Sequence, residues 1–329
     1  MATGLLAAFA AGNPALAVTA QETTSAPAPV ETRVAAPGAS LYARIVGRGQ
    51  PVIVLHGGPD FDHAYLLPEL DQLATSHRLI YYDQRGRGRS VEGVRADDVT
   101  LASDIEDIDQ VRQHFDLDRV TLLGHSWGVV LALEYAVRHP ERVSRLILMN
   151  PAPASASDFA SFRKIYIEKL GPEMSRQQAM IASPAYRDGD PAAVTARYRI
   201  HFKPALVRTD DYDRLMSRMQ AAFASQGRAG ILRARAIEDR LRAETWQDPA
   251  YDLLPKLGGL HIPALVIAGE RDFIPIEIAN HIAQALPGAK LVVMKDCGHF
   301  SYLECAPDVR RALEEFDAGA RSALDRRPR

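Results

Sequence analysis

At 329 residues the chain is longer than one average domain but suits a single α/β domain that carries an insertion. Hydrophobic residues make up 47% and charged residues 24%, enough apolar material for a large buried core. A formal net charge of −2 gives no electrostatic case for nucleic acid or an anionic membrane, so neither is expected as a partner.

Residues 1–37 are rich in Ala, Pro and Thr, with an apolar stretch at Leu5–Ala11 and small residues over Ala15–Ala20. No Lys or Arg precedes the apolar stretch, so the positive region of a secretory signal is missing. This segment reads as a disordered tail or a signal-like leader, with Gln21–Pro37 as a flexible lead-in. Cytoplasmic and exported locations both stay open. The apolar stretch is too short to span a bilayer, and no membrane insertion is expected.

From Gly38 onward short β-rich runs alternate with helical stretches. Leu41–Val46 alternates like an exposed strand. Pro51–Leu55, Leu79–Tyr82, Val120–Leu123, Leu146–Met149, Ala264–Ile267 and Leu291–Met294 are continuous apolar runs, as in strands covered on both faces. Between the second and third of these, Leu101, Ile105, Ile108, Val111 and Phe115 recur at helical spacing. Asp104, Glu106 and Asp107 in its first turns suit the positive end of a helix. A further helix is expected from about Ser126 to Arg138, stopping before Pro140. After Asn150 the β-runs cease and helical, Arg-bearing sequence follows until Ala264. Alternating strand and helix implies a mostly parallel central sheet with helices on both faces. The expected organisation is a core of residues 38–150 and 258–320, with a helical cap at 151–257 inserted into it.

The residues that carry chemistry stand at strand ends. Gly124-His125-Ser126-Trp127-Gly128 follows the Val120–Leu123 run directly and opens the next helix. A strand–turn–helix of this kind is a nucleophile elbow: small flanking residues permit the sharp turn that lifts the Ser126 hydroxyl above the sheet. A serine hydroxyl needs a base, itself oriented by a carboxylate. In the chain order of such folds the acid follows the serine and precedes the histidine. Asp272, just after the Ala264–Ile267 strand, and His299, after the last strand, fit as acid and base, with Glu270 and Asp296 as fallback carboxylates. Two backbone N–H groups are expected to hold the developing oxyanion. One is that of Trp127; the other is that of Gly58 in His56-Gly57-Gly58-Pro59, where the missing Cβ permits close approach. Cys297 and Cys305 have no metal-type spacing with histidines and read as buried or half-buried free thiols, a local disulfide being the alternative. No metal or organic cofactor is expected.

His56-Gly57-Gly58-Pro59-Asp60, Tyr82-Asp83-Gln84-Arg85-Gly86-Arg87-Gly88-Arg89-Ser90 and the Ser126 elbow together resemble the three signatures of the proline iminopeptidase family of α/β-hydrolases. The resemblance covers about residues 50–150 strongly and the Asp272 and His299 segments more loosely. It implies an α/β-hydrolase fold and release of an N-terminal residue, proline foremost, from short peptides through an acyl-enzyme. Two departures stand out. The family continues the first motif with glycine where this chain has Asp60. The family's cap carries a tryptophan–glutamate motif that holds the substrate amine; this cap has one tryptophan, Trp246, with Glu244 two positions before it. Glu244 and Glu238 are the expected substrate-binding carboxylates, with Glu168 and Glu173 as further candidates. Arg197, Arg199, Arg233 and Arg235 would suit a substrate bearing a carboxylate. The alternative function on the same triad is a small-molecule carboxylesterase or lactonase. A dehalogenase or epoxide hydrolase would place Asp at the elbow, and a non-catalytic relative would have a broken triad. The partner expected is a small molecule or short peptide; oligomeric state stays open.

Overall fold

The computed structural model describes Met1 and residues 28–325, with side chains as far as 319. Residues 2–27 of the tail or signal-like segment expected at 1–37 lie outside the described residues. In chain order the elements are β1 (Val30–Ala36), β2 (Ala39–Val46), β3 (Gln50–Leu55), β4 (His77–Tyr82), α1 (Leu101–His114), β5 (Val120–His125), α2 (Trp127–Arg138) and β6 (Val143–Met149). Six helices then follow without a strand: α3 (Ala156–Leu170), α4 (Glu173–Ala182), α5 (Pro184–Arg187), α6 (Pro191–His201), α7 (Thr209–Glu244) and α8 (Leu254–Leu257). The chain closes with β7 (Ala264–Gly269), α9 (Ile276–Ala285), β8 (Lys290–Met294), α10 (Ser301–Glu304) and α11 (Ala306–Asp325).

The eight strands form one sheet in the order β1-β2-β4-β3-β5-β6-β7-β8. β1–β2 and β2–β4 pair antiparallel, and every other neighbouring pair is parallel. β5 and β7 are buried along their whole length, as their unbroken apolar runs require. β8 differs from that expectation. Among the described residues it is the last strand of the sheet, and Val293 is 43% exposed.

Residues 30–36, expected as part of a flexible tail, instead form β1, in register with β2 from Val30–Ile45 to Ala36–Ala39. The cause is a two-residue turn at Pro37-Gly38, where Gly38 has a φ of +71°. The turn folds the segment back onto β2 and puts Val34 in the core.

The acidic residues of α1 do more than face a helix end. Glu106 is exposed, but Asp104 and Asp107 are buried. The helix itself is capped by Thr100 and Ser103 in a capping box. Arg87 reaches both Asp104 oxygens, at 2.6 and 3.2 Å, and also donates to Gln84 Oε1 and to the Arg85 carbonyl. Arg85 binds the two oxygens of Asp107 in the same forked way, its Nε at 2.7 Å. Arg85 and Arg87 of the 82–90 motif are thus structural, holding the loop after β4 against α1. Arg87→Ala would leave Asp104 buried without its counter-charge. We expect it to cost roughly 3–5 kcal/mol of stability, read as a lowered midpoint in urea denaturation.

Candidate active site

Each group of the candidate site stands at the carboxyl end of a parallel strand, where ligands collect in such sheets. Ser126 joins β5 to α2 with φ 55° and ψ −117°, outside the usual regions for a residue with a Cβ and a strain of roughly 1–3 kcal/mol. The turn closes because its flanks lack side chains. A Cβ on Gly124 would lie 2.5 Å from the Gly128 carbonyl oxygen, and one on Gly128 would lie 2.0 Å from that of Leu55. The Ser126 N–H donates to the Met149 carbonyl at 3.1 Å, tying the elbow to the end of β6.

His299 is buried, its Nδ1 at 2.9 and 3.0 Å from the two oxygens of Asp272. An ionised carboxylate only accepts, so Nδ1 carries the hydrogen and Nε2 keeps its lone pair. Asp272 is itself held from several sides. Asn150 Nδ2 donates to its Oδ2 at 3.0 Å, the Ile274 N–H to its Oδ1 at 2.8 Å, and Lys169 Nζ from α3 to its backbone carbonyl at 2.6 Å. Asn150 also donates to the Gly298 carbonyl at 3.1 Å and accepts from Ser301 Oγ at 2.5 Å. Among the described residues, neither Ser126 Oγ nor His299 Nε2 has a hydrogen-bond partner, and both open on one cavity of about 370 Å³. The Gly58 and Trp127 N–H groups are likewise without partners and border that cavity. Gly57, by contrast, donates its N–H to Tyr65 Oη at 2.6 Å.

The cavity wall is rich in aromatic rings. Phe159 stacks on Trp246 at 4.6 Å, and Phe273 meets His299 edge-on at 4.8 Å. Charged groups in the same wall are Asp60, Arg163, Arg197, Glu238 and Arg242. Tyr198 donates its hydroxyl to Asp60 Oδ2. Burial, and then the nearby Glu238 charge, push the Asp60 carboxyl up to about 7. Glu238 lies 3.5 Å from Arg242 one turn along α7. The Nε atoms of Arg197 and Arg242 are buried without a hydrogen-bond partner.

Of the two carboxylates expected to bind substrate, Glu238 is in the cavity wall and Glu244 is not. Glu244 Oε2 accepts the Leu101 N–H at 2.9 Å, satisfying the start of α1. Glu168 and Glu173 also lie outside the cavity wall, Glu173 pairing with Lys203 at 3.1 Å. Arg197 lines the cavity; Arg199 instead faces Asp213 at 3.4 Å. Sequence reasoning missed Asn150 and undervalued Asp60. The first had a signal, a polar residue ending the apolar β6 strand. The second was visible only as a departure from the family motif.

Cys297 and Cys305 are not free thiols. They form a disulfide with 6.3 Å between Cα atoms, closing the loop that carries His299. The free-thiol reading failed because the short α10 turns the chain back and brings the two positions together. Glu304 secures the same loop. It accepts from the Gly298 N–H at 2.7 Å and from the Val207 and Arg208 N–H groups at 2.6 and 2.9 Å. The His299 N–H donates to the Ala205 carbonyl at 2.7 Å, so the His299 loop is bonded directly to the turn between α6 and α7.

Residues 50–306 match the family model described as the alpha/beta hydrolase fold, and the chain belongs to that family of hydrolases. It is 29% identical over 301 residues to a proline iminopeptidase of Lactobacillus crispatus strain ST1, covering 88% of this chain and 99% of that one. In structure it is similar to a 2-hydroxy-6-oxo-6-phenylhexa-2,4-dienoate hydrolase from Rhodococcus sp. strain RHA1. That likeness has a TM-score of 0.69 and 20% identity, covering 88% and 99% of the two chains. An N-acyl homoserine lactone degrading enzyme matches with a TM-score of 0.63 and 22% identity, over 87% of this chain and 100% of that one.

Asn150→Ala would strip Asp272, Gly298 and Ser301 of one buried partner each. It is expected to lower stability by roughly 1–3 kcal/mol, measured by urea denaturation, with secondary structure by circular dichroism unchanged.

Proposed function

We propose that this hydrolase works through Ser126, with His299 as general base and Asp272 as its orienting acid, and that it releases N-terminal residues from short peptides. On attack, the Ser126 proton passes to His299 Nε2 as Oγ bonds to the carbonyl carbon. The carbonyl oxygen becomes an oxyanion between the Gly58 and Trp127 N–H groups. His299 returns the proton to the leaving amine, and Asp272 stabilises the imidazolium meanwhile. Water then repeats the sequence on the acyl-enzyme, freeing the amino acid and Ser126. Ser126→Ala is expected to lower kcat by roughly 10⁴-fold or more and to abolish labelling by a fluorophosphonate.

The observation that carries the peptidase reading is the pair of carboxylates, Asp60 and Glu238, in the wall of the cavity over Ser126. Two acidic groups among aromatic rings suit the free ammonium of an aminoacyl substrate. The similarity to proline iminopeptidases supports the same class. Because Asp60 titrates near 7, it is neutral and a poor partner for ammonium below that pH. KM for a prolyl arylamide should therefore fall as pH rises from about 5.5 to 7.5, a range in which the substrate amine stays largely protonated. KM for a des-amino acyl ester should stay flat, and Asp60→Asn should remove the slope for the amide. A flat KM for the amide in the wild type would exclude Asp60 as an amine partner.

A second reading, an esterase or lactonase on the same groups, is favoured by one observation. Glu238 already faces Arg242, and the Nε atoms of Arg197 and Arg242 lack partners, which suits an anionic substrate with no amine. An aminoacyl arylamide and a short acyl ester with comparable leaving groups separate the two readings. Turnover of the ester alone would overturn the peptidase assignment.

A further inference from the structure

Among the buried polar side chains in the cavity wall that the mechanism does not use are Tyr65 and His125, which lie beside the triad. Tyr65 belongs to a short helical turn, residues 63–66, capped by Asp62, whose Oδ1 accepts the Ala64 N–H at 2.9 Å. Its hydroxyl lies 2.6 Å from the Gly57 nitrogen and 2.7 Å from His125 Nδ1. His125 Nε2 in turn lies 3.0 Å from the backbone carbonyl oxygen of His299.

Only one arrangement of hydrogens satisfies all three contacts. The Gly57 N–H can only donate, so the phenol oxygen accepts it and its single proton is free for His125 Nδ1. His125 then carries its hydrogen on Nε2 and donates it to the His299 carbonyl. The other tautomer would set two acceptors, Nε2 and the carbonyl oxygen, against each other. A neutral ring is what this site imposes, since burial, and then the neighbouring His299, hold the His125 pKa well below its ordinary value.

We propose that Tyr65 and His125 are positioning residues. Their hydrogen-bond chain fixes the loop after β3, the residue before the nucleophile and the backbone of the base relative to one another. Two consequences follow for the chemistry. Tyr65 engages the Gly57 N–H, so that of Gly58 is the amide left facing the cavity. His125 holds the carbonyl of His299, while the N–H of the same residue is held by Ala205. Displacing either loop by a fraction of an ångström weakens oxyanion binding and proton transfer while leaving the substrate-binding wall in place. The proposal rests on Ser126 and His299 acting as described above.

The test is Tyr65→Phe, which keeps the ring and removes only the hydroxyl. With whichever amide or ester proves to be turned over, kcat should fall by roughly 10- to 100-fold while KM stays within about twofold. The fluorophosphonate labelling rate should fall in parallel. His125→Gln, which retains a donor and an acceptor, should keep several-fold more kcat than His125→Leu, and this pair decides the matter if Tyr65→Phe does not fold. A kcat for Tyr65→Phe within twofold of wild type, or a raised KM at constant kcat, would overturn the proposal, as would equal rates for the two His125 variants. Failure of the underlying reading looks different: Ser126→Ala would then remain active and still be labelled.

Discussion

The geometry of the site depends on how closely α2 lies against the sheet. At Gly128 the helix backbone meets the carbonyl of Leu55 at the end of β3, and Gly124 meets Gly128 within the same turn. That approach leaves no room for the chain to leave β5 gradually, so Ser126 takes a strained backbone and its side chain stands at the cavity edge. The same contact brings Trp127, at the helix start, beside the loop after β3. Gly57 is held there too, because a Cβ on it would lie 2.8 Å from that of Ser126. Two partnerless N–H groups and a hydroxyl therefore converge through backbone packing before any side chain contributes.

Around that contact the sheet ends are braced by buried polar groups, each matched to a defined partner. The loop after β4 is held by Arg85 and Arg87 on Asp107 and Asp104. The end of β6 supplies Asn150, which joins Asp272 to the loop bearing His299. Groups of this kind add little net stability compared with apolar packing, but each is costly to leave unpaired. They narrow the loops to one conformation, which is what a site built from four strand ends requires.

The helical segment between β6 and β7 is bonded into this arrangement. Lys169 on α3 holds the Asp272 backbone, Ala205 accepts from the His299 N–H, and Glu304 bridges Gly298 to Val207 and Arg208 just before α7. The Cys297–Cys305 disulfide closes the same loop. Arg197 and Glu238, in the cavity wall, thus belong to the same helical segment that braces the His299 loop. Changes in that segment aimed at specificity are accordingly expected to touch turnover as well.

The sequence alone determined the succession of strands and helices, because buried parallel strands must be apolar on both faces and so appear as unbroken runs. It also singled out the elbow, because its glycines are demanded by a local turn, and pointed to Asp272 and His299 as residues following strand ends. What it could not determine were pairings that depend on the chain folding back on itself or on distant parts meeting. Residues 30–36 became a strand only by pairing with β2, and Cys297 met Cys305 only through the turn at α10. Glu244 and Glu238, six positions apart on one helix, were separated by tertiary packing: one caps α1, the other lines the cavity. Asp60, Arg197 and Glu238 are brought to one cavity wall only by the seating of the helical segment over the sheet. Local rules reach as far as the next few residues; the charge and shape of the cavity are set by contacts between elements more than a hundred residues apart, and only the fold supplies those.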